Sequence, residues 1–428
     1  MASFSVYQEK MSVASAKAGI QAPSAPVARP NVYLAVLLAL SLSHLLNDTI
    51  QSLIPAVYPI LKQSFALDFA KIGMITLTFQ VAGALFQPAI GLYTDRRPLP
   101  YSAALGMIFT LVGVVSLAFA WSYPVILVSV ALVGIGSSIF HPEATRSARY
   151  ASGGRQGFAQ GVFQVGGQTG AALGPLLAAF IIVPRGQGSL AGFAVMTILA
   201  MALLTWTARQ QAAIRTQFNA IASRGRAHGQ QTPHSRGVIL FGLTILTILM
   251  ASKLAYLESF RSFYTFYLMD RFGVSLSTSQ LMLFLIFIAS AVGVLLGGIL
   301  GDRIGRYRII WISILGPLPF TLLLPYADLF WTGVLTVIIN LILASAFASI
   351  MIYAMELVPE RIGLIGGLFY GLNFGLGGLA AAFLGGLIDS LGIESVYKIC
   401  SFLPIVGLLA IFLPKINDRA GRPAKASS

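Results

Sequence analysis

The sequence predicts an all-α polytopic membrane protein in which twelve transmembrane helices form two pseudo-symmetric six-helix bundles. Three observations carry that prediction: an apolar composition, charges gathered into short clusters, and a charged turn that recurs once in the chain. Apolar residues make up 57% of 428 positions and charged residues only 10%, with a mean hydropathy of +0.82. A soluble chain of this length needs far more charge to solvate its surface. No Asp, Glu, Lys or Arg occurs between Arg97 and Glu143, nor between Arg155 and Arg185. Each gap exceeds the roughly 20 apolar residues that a helix needs to cross hydrocarbon. Most of these stretches lack the polar stripe of a soluble amphipathic helix.

Twelve spans follow from the apolar runs: 33–60, 70–93, 101–120, 123–149, 156–183, 189–207, 238–268, 278–299, 308–325, 331–356, 362–388 and 396–414. Breaker-rich joints such as Trp121-Ser-Tyr-Pro124, Ser152-Gly-Gly-Arg155 and Pro184-Arg-Gly-Gln-Gly188 separate them. The organisation is a cytoplasmic tail over 1–30, a first bundle over 31–207, a linker over 208–236, a second bundle over 237–414 and a tail over 415–428. Residues 1–30 are rich in Ala, Ser and Pro without an apolar core, which predicts disorder rather than a cleaved signal.

The net charge of +14 reads as an excess of Lys and Arg on cytoplasmic loops. With the N-terminus inside, Arg96, Arg97, Arg155, Arg303, Arg306, Arg308 and Arg361 all fall on the cytoplasmic side. The other side then holds Lys62, Lys71, Arg185, Arg271 and Lys398. Both termini are therefore expected in the cytoplasm. The basic linker has few aromatic residues, which favours contact with anionic lipid over nucleic acid. Cys400 is the single cysteine, so no intrachain disulfide and no cysteine metal cluster can form.

Gly91-Leu-Tyr-Thr-Asp95-Arg96 aligns with Gly298-Ile-Leu-Gly-Asp302-Arg303. The offset, from Asp95 to Asp302, is 207 residues. Arg155-Gln-Gly157 and Gly161-Val-Phe163 align likewise with Arg361-Ile-Gly363 and Gly367-Leu-Phe369. Two six-helix halves related in this way place a substrate site at the midplane between them. The stretch Gly298-Ile-Leu-Gly-Asp302-Arg303-Ile-Gly305-Arg306 resembles the loop signature of the major facilitator superfamily. That resemblance implies a cytoplasmic gate built from Asp95, Arg96, Gly298, Asp302, Arg303, Gly305 and Arg306. The first copy departs from the pattern where Arg97-Pro98 replaces Gly-Arg. Gly170-Ala-Ala-Leu-Gly174-Pro175 is similar to a helix signature of the superfamily's proton-driven exporters; small residues four apart allow close packing and the proline bends the helix. Ser43-His-Leu-Leu-Asn-Asp48, Phe140-His-Pro-Glu143, Gln164-Val-Gly-Gly167 and Val396-Tyr-Lys-Ile-Cys400 resemble the fosmidomycin resistance family of bacterial drug exporters. The resemblance implies a monomeric inner-membrane antiporter that exchanges a phosphonate-like drug for protons, with no cofactor, metal or nucleic acid.

His44, Asn47, Asp48 and Gln51 fall at i, i+3, i+4 and i+7 and so share one face of the first span. A carboxylate facing lipid costs at least ~2.5 kcal/mol, so this face meets protein or a water cavity. Asp48 tuned by His44 is either a proton site or a satisfied interhelical cluster. In the fourth span, His141 and Glu143 are further proton-coupling candidates. Glu143 and Arg146 can pair one turn apart, and Arg146 or Arg149 would gate the cytoplasmic end or simply snorkel there. The seventh span carries Lys253, Tyr256, Glu258 and Arg261. Glu258 and Arg261 read as a buried pair, while Lys253 lacks a partner at helical spacing and would suit the phosphonate that the resemblance implies, with Arg261 as a fork. Gln80, Gln164, Gln168 and Asn373 line a cavity or hold helices together.

Uptake of a small anion or sugar shares this architecture, and a non-transporting membrane sensor is the rival from another class. An intramembrane enzyme lacks support, since there is no metal-ligand helix and no nucleophile elbow. The charge asymmetry predicts that a reporter protein fused after residue 414 works only if it is active in the cytoplasm: a green fluorescent fusion glows, and an alkaline phosphatase fusion stays inactive. The opposite pattern would invert the topology.

Overall fold

A computed structural model describes residues 32–96, 99–153, 156–225, 235–358 and 362–414. The expected tails (1–30 and 415–428) and the loop residues Arg97, Pro98, Arg155 and Arg361 lie outside the described residues. Among the described residues there is no β-strand.

The helices are α1 Leu34–Ala56, α2 Phe69–Arg96, α3 Ser102–Ala118, α4 Tyr123–Tyr150, α5 Gln156–Leu177 and α6 Ala194–Gly225. In the second half they are α7 Arg236–Phe272, α8 Leu276–Ile304, α9 Arg306–Leu315, α10 Leu329–Ala344, α11 Ile362–Leu391 and α12 Ile393–Cys400. Several crossings continue past a break. A short helix, Tyr58–Ser64, follows α1, Phe347–Leu357 extends α10, and a tighter helical run over Leu403–Phe412 completes the last crossing. Among the described residues, ten helical segments are long and apolar enough to cross a membrane. Phe69–Ala84 and Ser102–Ala118, apolar but shorter, stand where the second and third spans are expected.

Local chemistry explains the joints. Ser235, Ser275 and Asp328 cap α7, α8 and α10, each side chain accepting from a backbone N–H three residues on. Gly273 ends α7 in the left-handed conformation at φ 63°. After Pro175 the fifth crossing widens into a π-helical turn over Ala178–Ile182 and regains α geometry up to Arg185. The sixth helix departs from expectation, because it does not stop near 207 but continues to Gly225. Residues 208–224 contain good helix formers and no Gly or Pro, so nothing ends the helix before Gly225.

Packing follows small residues. A side chain added at Gly166, Gly170 or Gly174 of α5 would meet Ser41, Leu45 and Ser52 of α1, the first two through their backbone carbonyls. This ladder extends the Gly170/Gly174 pair by one turn. Between the halves, α2 packs on α11 and α5 on α8. Repeat symmetry exchanges these two contacts, since α2 corresponds to α8 and α5 to α11. Gly73 of α2 faces the backbone of Ala381 and Ala382, and Gly385 of α11 faces Phe69.

The apolar cores show which end is closed. At the end away from the chain termini a single cluster draws on both halves, joining Ile54, Tyr58 and Ile72 to Phe263, Tyr264 and Leu384. Towards the termini the core is split in two. One cluster, with Leu37, Ala148 and Ile214, belongs to the first half, and the other, with Leu246, Ile310 and Leu357, belongs to the second. Among the described residues the halves are therefore sealed together at the far end and parted at the terminal end. Replacing Gly170 by Leu should abolish monodisperse protein in detergent. The same change at Gly161, which has open space around it, should leave the elution profile intact, and equal behaviour would remove the glycine ladder from the packing.

Candidate functional site

The polar face of α1 meets α4 and α5. His44 is buried at 4% exposure, while Asp48 and His141 keep 21% and 19%. His44 Nε2 lies 3.2 Å from Asp48 Oδ2, and His141 Nε2 lies 3.5 Å from Asp48 Oδ1. One carboxylate thus faces two imidazoles from different helices. Asn47 Nδ2 and Gln51 Nε2 also donate to Asp48 Oδ1, at 2.9 and 3.3 Å.

The other ring nitrogens define what these contacts require. His44 Nδ1 lies 2.9 Å from the Phe163 carbonyl, and His141 Nδ1 lies 3.0 Å from the Ser137 carbonyl. A carbonyl oxygen only accepts, so His44 Nδ1 carries hydrogen, and its Nε2 meets a charged Asp48 favourably only with a second proton between them. His141 Nδ1 also lies 3.1 Å from Ser137 Oγ, which can donate to it in place of Gln51, so His141 Nε2 can itself carry the hydrogen that faces Asp48. The cluster therefore has a place for an exchangeable proton between His44 and Asp48. Ser137 Oγ donates to Gln51 Oε1 at 3.3 Å and tightens the same face.

Aromatic packing fixes the rings. His44 stacks on Phe163 with centroids 4.1 Å apart, and its edge meets His141 at 5.2 Å. Gly167 of α5 lies so close to the His44 ring that an added Cβ would fall 2.5 Å from Nε2. From the second half, Phe374 of α11 reaches within 6.2 Å of the His141 ring, so the cluster borders the interface between the halves. Ligand atoms of His44, Asp48 and His141 all lie within 4.8 Å of one another, a spacing that a cation could also use.

Glu143 is held differently. It is buried at 1% exposure, with Oε2 2.9 Å from Arg146 Nη1. Gln211 Nε2 donates to Glu143 Oε1 at 3.3 Å and to Ser147 Oγ at 3.0 Å. Gln211 lies within the expected linker, and the continuous α6 brings it to α4. Arg149 is exposed at the end of α4.

On α7, Glu258 and Arg261 do not form the expected pair among the described residues. Glu258 turns to Ser262, whose Oγ donates to Oε1 at 2.8 Å, and to the Gln80 amide of α2. Every residue from Ser252 to Leu268 is buried except half-buried Ala255 and exposed Arg261. Lys253 is buried at 5% exposure and takes no hydrogen bond or ion pair among the described residues. Tyr256 is also buried, with a hydroxyl that lacks a partner. Gln164, Gln168 and Asn373 are half-buried. The side chains of Asp95, Arg96, Asp302 and Arg303, like Gly298, lie outside the described residues, whereas Gly305 turns the chain into α9 at φ 96° ahead of half-buried Arg306.

Sequence reasoning missed Gln211 and the packing roles of Gly166 and Gly167, whereas Asp389, near a span end, reads from the sequence as a structural residue. The carboxylate of Asp389, in α11, accepts from Phe69 N at 2.9 Å and Ala70 N at 2.7 Å, so one half caps a helix of the other. Its position near the end of an apolar span was the available signal. Gly167→Val should displace the His44 ring, and the change would appear as an altered imidazole resonance in histidine-labelled protein. An unchanged spectrum would show that Gly167 does not set the ring.

The sequence profile of the Major Facilitator Superfamily matches residues 40–381 and 243–428. The fosmidomycin resistance protein of Escherichia coli (strain K12) is 54% identical over 380 residues, covering 89% of this chain and 92% of that protein. An uncharacterized MFS-type transporter, YfnC of Bacillus subtilis (strain 168), is 37% identical over 379 residues, with the same coverage of each. Among solved structures, the nucleoside transporter NupG superposes with a TM-score of 0.65 at 12% identity, covering 88% of this chain and 98% of that one. A bacterial homolog of the human lysosomal transporter Spinster, in an inward-facing and occupied conformation, gives 0.62 at 18% identity, covering 89% and 94%.

Proposed function

The chain belongs to the major facilitator superfamily, and from that premise we propose that it exports fosmidomycin-like phosphonates in exchange for protons. It is a multi-pass membrane transporter with a small-molecule substrate; the direction, the coupling ion and the drug class are the proposal. The observation that carries the proton is the Asp48 cluster. Two imidazoles from different helices present Nε2 to one carboxylate that keeps partial access to the interface between the halves, and the Phe163 carbonyl commits His44 Nδ1 as a donor.

The 54% identity to the fosmidomycin resistance protein supports a phosphonate drug as substrate. Arg261 offers a charge-assisted fork to the dianion, and Lys253 a point charge on the same helix. With the termini in the cytoplasm, the parted end faces inward and the sealed end faces out. This arrangement collects drug from the cytoplasm. Opening the far end then exposes the substrate to the outside, where protons enter in exchange. The protein acts as a monomer in the inner membrane and needs neither cofactor nor nucleic acid.

Reconstituted into liposomes with an inward proton gradient, the wild type should expel preloaded fosmidomycin and acidify the side from which drug departs. Asp48→Asn should bring proton-driven efflux down to the level of empty liposomes while leaving counterflow of labelled drug intact. Loss of both activities together would make Asp48 structural, and retention of both would end the coupling role.

A further inference from the structure

A second buried acid lies outside the Asp48 cluster. Glu258 of α7 is 2% exposed and close to the sealed far end. A chain of hydroxyls leads to it across the interface between the halves. Tyr58 OH and Thr76 Oγ1, both in the first half, are 2.7 Å apart. Thr76 Oγ1 lies 3.2 Å from Ser262 Oγ of the second half, and Ser262 Oγ donates to Glu258 Oε1 at 2.8 Å. Because the last donation is fixed by the carboxylate, every hydroxyl upstream can point its hydrogen toward Glu258. Gln80 of α2, again from the other half, bonds the same carboxylate. Gly377 of α11 lies against both, and a Cβ there would fall 2.5 Å from Gln80 Oε1 and 3.5 Å from Glu258 Oε2.

We infer that Glu258 is a second proton-carrying residue, loaded when the far end opens and emptied when it closes. The inference rests on the reading of the chain as a proton-coupled carrier. Thr76 and Gln80 ride on the first half, so parting the halves at the far end removes their support from the carboxylate. A proton from outside then takes the place of the lost donors. On closure Gln80 returns to the carboxylate, and Thr76 with Tyr58 again backs Ser262, which rides on the same helix as Glu258. The proton leaves its oxygen for water in the parted side. The flux is inward, the direction that an exporter driven by the proton gradient requires. The groups facing Glu258 are Gln80 and Thr76 from α2, Tyr58 beyond Thr76, Gly377 from α11, and Ser262 and Arg261 on its own helix. Among the described residues, Arg261 is the charged group that acts on it.

Spin labels at Lys71→Cys and Glu394→Cys, two exposed far-end positions on opposite halves, report opening by pulsed electron–electron distances in lipid nanodiscs. The only native cysteine is replaced by Ser. Between about pH 8 and pH 6 the wild-type ratio of open to closed should rise about threefold or more, within the one-proton ceiling of about tenfold per pH unit. Glu258→Gln should flatten that rise. Thr76→Val, which breaks the chain without touching the acid, should raise the open fraction at the alkaline end. A wild type indifferent to pH, a rise that survives Glu258→Gln, or an inert Thr76→Val would each overturn the inference. Should Glu258→Gln not elute as a monodisperse peak, Thr76→Val decides alone. If Asp48→Asn keeps full drug-driven proton movement while Glu258→Gln is flat, the Asp48 coupling role fails and the inference about Glu258 stands.

Discussion

A carboxylate buried in a membrane protein has to find donors among its neighbours, because hydrocarbon supplies none. Three acids meet that constraint here in three ways. Asp48 faces two imidazoles, Glu143 pairs with an arginine backed by an amide, and Glu258 relies on neutral hydroxyl and amide groups. The solutions differ in what they leave free. An arginine never gives up its charge, so Glu143 stays paired within α4, and the Gln211 amide ties it to α6. Imidazole can hold or release a proton near neutral pH, so the Asp48 cluster is suited to exchange. Neutral hydroxyls stabilise a carboxylate only while they remain in reach.

That difference matters because the helices carrying these groups belong to different rigid units. His44, Asp48 and His141 all lie in the first half and can keep their contacts as the halves rock. The donors to Glu258 come partly from α2, which packs on α11 across the interface through glycines and the Asp389 cap. Anything that parts α2 from the second half at the far end alters the surroundings of Glu258 and leaves the Asp48 cluster assembled. The repeat is thus two-fold in architecture and asymmetric in chemistry. Ala255 stands where the offset of 207 residues would place the partner of Asp48, and Glu258 follows three residues later on the same helix.

Much of this was legible in one dimension, for identifiable reasons. Apolar runs of membrane length announce helices because lipid admits few other backbones. The His44–Gln51 stripe announced an inward face because helical periodicity places those side chains together. Gly170 and Gly174 announced a close contact, because small residues are what allow two helices to approach. The pairing of Glu143 with Arg146 followed from a spacing of three on one helix.

What the sequence by itself determined, then, was the all-helical membrane architecture, its internal repeat and the polar faces that had to turn away from lipid. Only the tertiary structure decided who meets whom across those faces. His141 joins Asp48 from 93 positions away in the chain, the Phe163 carbonyl fixes the His44 hydrogen, and Gln211 reaches Glu143 from a segment that read as linker. Glu258 looked paired with Arg261 because both sit on one helix one turn apart. In the folded protein, hydroxyl and amide donors from α2 and α7 surround the acid and leave the arginine exposed. Partner choice between helices depends on their mutual placement, and no periodicity within a single helix encodes that.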